Sequence, residues 1–306
     1  MREHLRSAVG ALLALALAPL ALAQEPQYVS PSGKKYFAQP DEKNVVAEAQ
    51  KKLDADPKNL DLLIALGDAW ASVWDHTKAI EVYDRALAQA PNWGLLYQQR
   101  GHRYLSNRKF DKARADLEKA VALDPKLRDA WYYLGFLRYL EGDFAGAADA
   151  YAKNVAMADK FESAIGAVDW QYMSLKRAKK DKEAAQLLER VTPELKIEGN
   201  ARLYFNRLLF YKGLKKEDEL FAGQPSDIEA TTLDYGVGNW YLYNGKPEKA
   251  RGYFEKAVAT TAWPALAFIA AENELARAAT DDSRDELVRR AHLVVREQRP
   301  PISGQQ

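Results

Sequence analysis

The histidines and carboxylates are the residues to weigh first for chemistry. The chain has four histidines, His4, His76, His102 and His292. His76 and His102 fall in neighbouring stretches of similar pattern and could approach each other. No His, Asp or Glu cluster, however, has the close spacing from which metal sites are built. Surface histidines are the expectation. Asp61, Asp68 and Asp129 offer a second chemistry. Paired carboxylates hydrolyse glycosides when they flank the bond at a set separation. Sequence does not set that separation, and the same residues serve as ordinary polar surface. No H-E-x-x-H, G-x-S-x-G or phosphate-loop pattern occurs. With no cysteine there is no thiol nucleophile. The chain therefore reads as non-enzymatic, without cofactor or metal. The basic run Lys176–Lys182 (KRAKKDK) reads as a solvated helix end, well placed against the helix dipole. Its sharper reading is a contact with an acidic envelope polymer or lipid headgroups.

Of the 306 residues, 47% are hydrophobic and 28% charged, the balance of a soluble chain. Net charge is +1, and removing residues 1–23 with Arg2, Glu3 and Arg6 leaves it at zero. The domain-wide basic excess of a nucleic-acid binder is missing. Residues 1–23 read as a cleaved signal peptide. Arg2 and Arg6 open it, Val9–Leu22 is apolar, and Ala21-Leu22-Ala23 fits the small-x-small cleavage pattern before Gln24. The apolar run is about 14 residues against the roughly 20 of a membrane span, so no transmembrane segment is expected after cleavage. A lipid anchor would need a cysteine at the cut. The Ala/Leu-rich signal looks bacterial, which makes the periplasm the expected destination and full secretion the second choice. Lack of cysteine does not contradict an oxidising compartment.

The elements that would position any site repeat at one constant step, the distance from Gly67 to Gly101. Gly135 lies on it too; so do Ala79, Ala113 and Ala147, Ala86 and Ala120, and Pro91 and Pro125. Fixed-period self-similarity decides architecture before any local reading. In the first copy Leu63, Leu66, Gly67 and Trp70 share one helix face, and Ala79, Tyr83 and Ala86 share another. Small Gly67 and Ala79 let two antiparallel axes approach, and Trp70 and Tyr83 fill the space beside them. Pro91 ends the second helix.

This pattern resembles the tetratricopeptide repeat family, W-x2-L-G-x2-Y, then A-x3-F-x2-A, then P. The second copy carries Tyr97, Gly101, Tyr104, Ala113, Leu117, Ala120 and Pro125. The third carries Trp131, Leu134, Gly135, Gly142, Phe144, Ala147 and Tyr151, and departs late at Asn154 and Asp159. The resemblance implies an all-α, right-handed superhelical solenoid of antiparallel helix pairs with capping helices. In that family the first helix of each pair lines the concave face. The carry-over places Gln98 and His102, then Tyr132, Phe136 and Tyr139, and in a late copy Tyr235, Asn239 and Tyr243 on that face. An aromatic strip there suits an extended or helical peptide; packing against the next repeat or the leader is the alternative. One subclass clamps a C-terminal carboxylate through Lys and Asn; here Ile64 and Asp68 hold those positions, so the clamp is missing.

The expected organisation follows. Residues 24–40 form an extended leader, whose packing on the array the sequence leaves open. Residues 41–160 hold a capping helix and three regular repeats. Residues 161–225 are degenerate repeats, a hinge or a docking site. Residues 226–299 return to the pattern (Gly238, Tyr241, Gly245, Ala250, Phe254, Ala257) and end in a capping helix opened by Ser283–Glu286. Residues 300–306 form a disordered tail. Gly238 falls one position past three further steps from Gly135. The layout, with NWYLYNGKPEKARGYFEKAV and ENELARA, is weakly similar to bacterial envelope adaptor lipoproteins with these repeats, but lacks the lipid-anchor cysteine. The reading is an exported scaffold that binds a protein or peptide segment of unidentified sequence. A structural part of an export or surface-polysaccharide assembly, and a carbohydrate-active enzyme on a helical-repeat scaffold, are the alternatives.

Overall fold

The computed structural model describes residues 24–280. The signal segment, the helix expected after Ser283 and the tail lie outside the described residues.

A two-stranded hairpin comes first, β1 (Tyr28–Val29) against β2 (Lys35–Tyr36), with Tyr28 opposite Tyr36. Helices follow: α1 (Val45–Ala55), α2 (Leu60–Ser72), α3 (His76–Gln89), α4 (Gly94–Ser106), α5 (Phe110–Leu123), α6 (Arg128–Glu141) and α7 (Phe144–Ala156). A 3-10 turn at Phe161–Ala164 leads into α8 (Ile165–Arg177), α9 (Asp181–Glu189), α10 (Ala201–Tyr211) and α11 (Glu217–Leu220). Then come α12 (Asp227–Tyr243), α13 (Pro247–Ala259) and α14, residues 266–280. The all-α solenoid expected from the repeat pattern is the architecture observed.

Polar side chains start these helices where the sequence offers them. Asp41 accepts the backbone N–H groups of Val45 and Val46 at α1, Asn59 that of Leu62, and Asp75 that of Lys78. Each satisfies amides that the first helical turn leaves unpaired. Helix α12 begins at Asp227, well ahead of the repeat pattern that resumes near Asp234, because Ser226 and Glu229 form a reciprocal capping box. Helix α14 begins at 266, after a turn at 263–265 containing Pro264.

Within each pair the glycine of the first helix meets a side chain of the second. A Cβ on Gly67 would sit 2.5 Å from the Tyr83 ring, and one on Gly238 2.8 Å from Phe254. Both distances are inside van der Waals contact, so the glycines fix the helix spacing. In an unconstrained helix Gly→Ala stabilises by about 1 kcal/mol. At Gly67 the sign reverses: Gly67→Ala is expected to lose about 1–3 kcal/mol through overpacking, read as a lower urea midpoint. A raised midpoint refutes this close contact.

The pairs α2/α3, α4/α5 and α6/α7 stack in sequence, and α7 packs on α8. Beyond α9 the stacking changes. Helix α10 packs on α8, and α12 lies against both. At this junction Arg207 of α10 ion-pairs with Asp169 of α8 and donates to the Thr232 carbonyl of α12. Both charged side chains have no solvent exposure. Burial pushes the Asp169 carboxyl up to about 6 even though Arg207 favours its ionised form. Asp169→Asn leaves the guanidinium buried without a counter-charge and is expected to cost about 3–5 kcal/mol. The double variant Asp169→Leu, Arg207→Met should recover most of that loss in the same denaturation experiment.

Candidate functional site

The inner face runs through α2, α4 and α6 at matching positions. Its cover increases along the array. On α2, Asp61 and Asp68 are exposed and Ile64 is half-buried. On α4, Gln98 is buried and His102 half-buried. On α6, Asp129 is exposed and Tyr132 half-buried, whereas Phe136 and Tyr139 are fully buried.

The cover on α6 is the chain itself. Trp170 of α8 receives Phe136 and Tyr139 edge-on at 5.2 and 5.4 Å and stacks on Tyr235 of α12 at 5.4 Å. The Arg177 guanidinium donates to Asn239 and to Glu274 of α14. Tyr243 packs edge-on to Tyr172 at 6.3 Å. The structure therefore brings the third-repeat and late-repeat residues together as packing partners across the groove. Phe136, Tyr139, Tyr235 and Asn239 do not form the open aromatic strip anticipated from the sequence. The reason is the turn at α8–α10–α12, which folds the C-terminal repeats into the groove of the N-terminal ones. His102, with its ring stacked on Tyr133 at 4.0 Å, and Tyr132 stay at the edge of the part left uncovered.

A clasp joins the two ends of the array. Trp263 packs against Tyr28 and Tyr36 of the hairpin and against Trp74 and His76 of the first repeat, with ring centroids 5.3–6.3 Å away. Glu272 of α14 accepts from the Tyr28 hydroxyl at 2.9 Å and from the Arg108 guanidinium at 2.7 Å. Arg108 also covers the Tyr28 ring at 4.0 Å. Gln27 adds bonds to Asp75 and Thr77 at the start of α3, and Asn273 donates to the Leu140 carbonyl. The leader, whose packing the sequence leaves open, thus lies on the array.

Trp74 and Arg108 reach the clasp from an uncommon backbone conformation. They hold equivalent places in consecutive repeats, at the inter-helix turn that Gly142 occupies one repeat later. All three have positive φ, 62°, 56° and 86°. Glycine adopts this left-handed conformation freely, while other residues lose roughly 1–2 kcal/mol in it. The side chains at 74 and 108 offset that cost by closing the ends. Arg108→Gly relieves the backbone and removes the clasp together. The Gln27 and Ser30 amides, which bond within the hairpin, are then expected to exchange about tenfold faster or more, while α4 and α5 keep their protection. Unchanged leader exchange would rule out the clasp.

The candidate chemical groups are distributed as follows. Asp68 accepts the Tyr83 hydroxyl at 2.6 Å, and Asp61 and Asp129 are exposed on separate helices. Burial and the nearby Arg103 hold His76 and His102 well below the usual histidine pKa. Among the described residues no group of three His, Cys, Asp or Glu side chains is arranged to hold a metal ion. None of the described helices is long and apolar enough to cross a membrane. In the basic run, Lys176 pairs with Asp181 and Lys180 with Glu183 at 3.3 Å. The clasp residues Trp263 and Glu272 carry no signal in the sequence, since no local period marks a contact between the two ends of the array.

A tetratricopeptide-repeat family model matches residues 99–160, the second and third helix pairs. Over these residues the chain matches the tetratricopeptide-repeat family. The heat-shock protein cognate co-chaperone sgt12 of Aspergillus fumigatus is 34% identical over 106 residues, 35% of this chain and 31% of that protein. Small glutamine-rich tetratricopeptide repeat-containing protein 2 of Saccharomyces cerevisiae is 31% identical over 120 residues, 39% and 33% of the two chains. The match thus spans about a third of each relative's length. Among solved structures, YrrB, described as a tetratricopeptide-repeat protein with an unusual peptide-binding site, gives a TM-score of 0.43. It is 19% identical, over 70% of this chain and 92% of that one. MamA gives 0.42 at 24% identity, over 47% and 82%. Tetratricopeptide-repeat proteins are protein-binding scaffolds and adaptors.

Proposed function

We propose that this tetratricopeptide-repeat protein is a non-enzymatic, exported scaffold of the bacterial envelope that holds a segment of another protein on its concave face. The export reading rests on the signal-like residues 1–23. The concave reading rests on the gradient of cover along the inner face. The α6 end is filled by α12 and α14, but Asp61, Ala65 and Asp68 on α2 remain exposed, with His102 and Tyr132 at the inner edge. A partner segment would lie along α2 and α4 and end against His102 and Tyr132. The two exposed carboxylates on α2 favour a segment carrying Lys or Arg over an acidic one.

A photo-reactive residue at Ala65 tests this against one at Lys119, exposed on the second helix of its pair. In envelope fractions of the source cell, Ala65 is expected to give a discrete adduct of one protein and Lys119 none. That adduct should be lost in Asp61→Arg, Asp68→Arg. Equal labelling from both positions, or recovery of the chain from the cytoplasm alone, refutes the proposal.

A further inference from the structure

Where the inner face is roofed by the turn after α13, two adjoining cavities of 280 and 200 Å³ remain. His102, Ile228, Pro264 and Ala265 line both. The walls are flat and aromatic: Tyr132, Tyr133 and Trp170 in one cavity, Trp74 in the other. Two polar side chains on these walls carry unpaired atoms. His76 is 2% exposed, and neither of its ring nitrogens has a hydrogen bond. Buried Arg103 Nε has none either, while Arg103 Nη2 meets His102 Nδ1. Buried polar groups in folded proteins are nearly always paired, so orphaned donors around a cavity mark where a ligand's acceptors belong.

The charge around this space has one sign. Among the described residues no carboxylate lines either cavity. Of the nearby acids, Asp68 is engaged with Tyr83, Asp75 with Lys78 and Gln27, Asp169 with Arg207, and Glu272 with Arg108, while Asp129 is exposed to solvent. The Arg103 guanidinium is thus left facing two neutral imidazoles, which can each donate one N–H. A planar guanidinium suits a carboxylate, which it can bind through two parallel bonds. The aromatic walls suit a flat apolar body behind that head.

We propose that these cavities form a binding site for a small organic carboxylate with an aromatic body, its carboxylate on Arg103 and His76 and its ring between Tyr132, Tyr133 and Trp74. The site adjoins the end of the groove proposed for a protein segment, at His102 and Tyr132, and does not depend on that reading.

Calorimetric titration of residues 24–306 with phenylacetate tests the proposal, with phenylacetamide as the neutral isostere and inorganic phosphate as the bare anion. Phenylacetate is expected to bind at least about tenfold more tightly than the amide, because the amide leaves the guanidinium without its counter-charge. Arg103→Gln should erase that preference. Ile228→Trp, at a half-exposed position on the wall of both cavities, should weaken phenylacetate about tenfold or more without touching Arg103. It keeps the test open if the Arg103 variant fails to fold. Equal affinity for acid and amide, no heat with phenylacetate, or phosphate binding as tightly through Arg103 would each overturn the proposal.

Discussion

The fold turns on one buried ion pair. Asp169 and Arg207 sit where α8, α10 and α12 meet, and the guanidinium continues to the Thr232 carbonyl. Gly236 on α12 makes room for it: a Cβ there would overlap the Arg207 side chain. A buried pair is a weak source of net stability, because desolvation offsets most of the attraction. Its effect here is on direction. A regular array adds each helix pair beside the last, whereas the Arg207 bonds hold α12 against α8. This brings α14 over the earlier helix pairs. The aromatic contacts around Trp170, the cover over Phe136 and Tyr139, and the approach of α14 to the first repeats all follow from that placement.

The periodic part of the fold was legible in the sequence because its cause is local. Gly67 and Tyr83 lie on consecutive helices, and each further step of the repeat restates the same contact, so one pattern specifies every pair. The turn-back was not legible. Asp169 and Arg207 read as ordinary helix residues until both are seen to be buried, and the single-position change in period after Gly135 signals irregularity without giving its geometry. The repeat register assigned the inner-face candidates to particular helices, which the structure forms as α4, α6 and α12. Whether that face was open depended on distant elements, α12 and α14, that no register describes. Trp74 and Arg108 carried a faint signal: they stand where the third repeat has glycine, a position where a side chain is tolerated at a cost.

The inner face thus has two regions of different chemistry. Near α2 it is open and carries the exposed carboxylates Asp61 and Asp68. Farther in, under the 263–265 turn, it narrows to a space lined by aromatic rings, two histidines and Arg103. The sign of charge changes between them, so a molecule that suits one region is disfavoured in the other.

The clasp also changes how the array behaves as a polymer. Open repeat arrays unfold from their ends, since each unit touches only its neighbours. Here Tyr28 bonds to Glu272, 244 residues away. Closing a loop of that length instead of a single repeat adds about 2 kcal/mol of chain entropy to the cost of folding, incurred once, when the ends meet. Before that event the helix pairs can form independently. After it neither end of the described array is free to fray, so that array is set to lose its structure in one cooperative step instead of unit by unit.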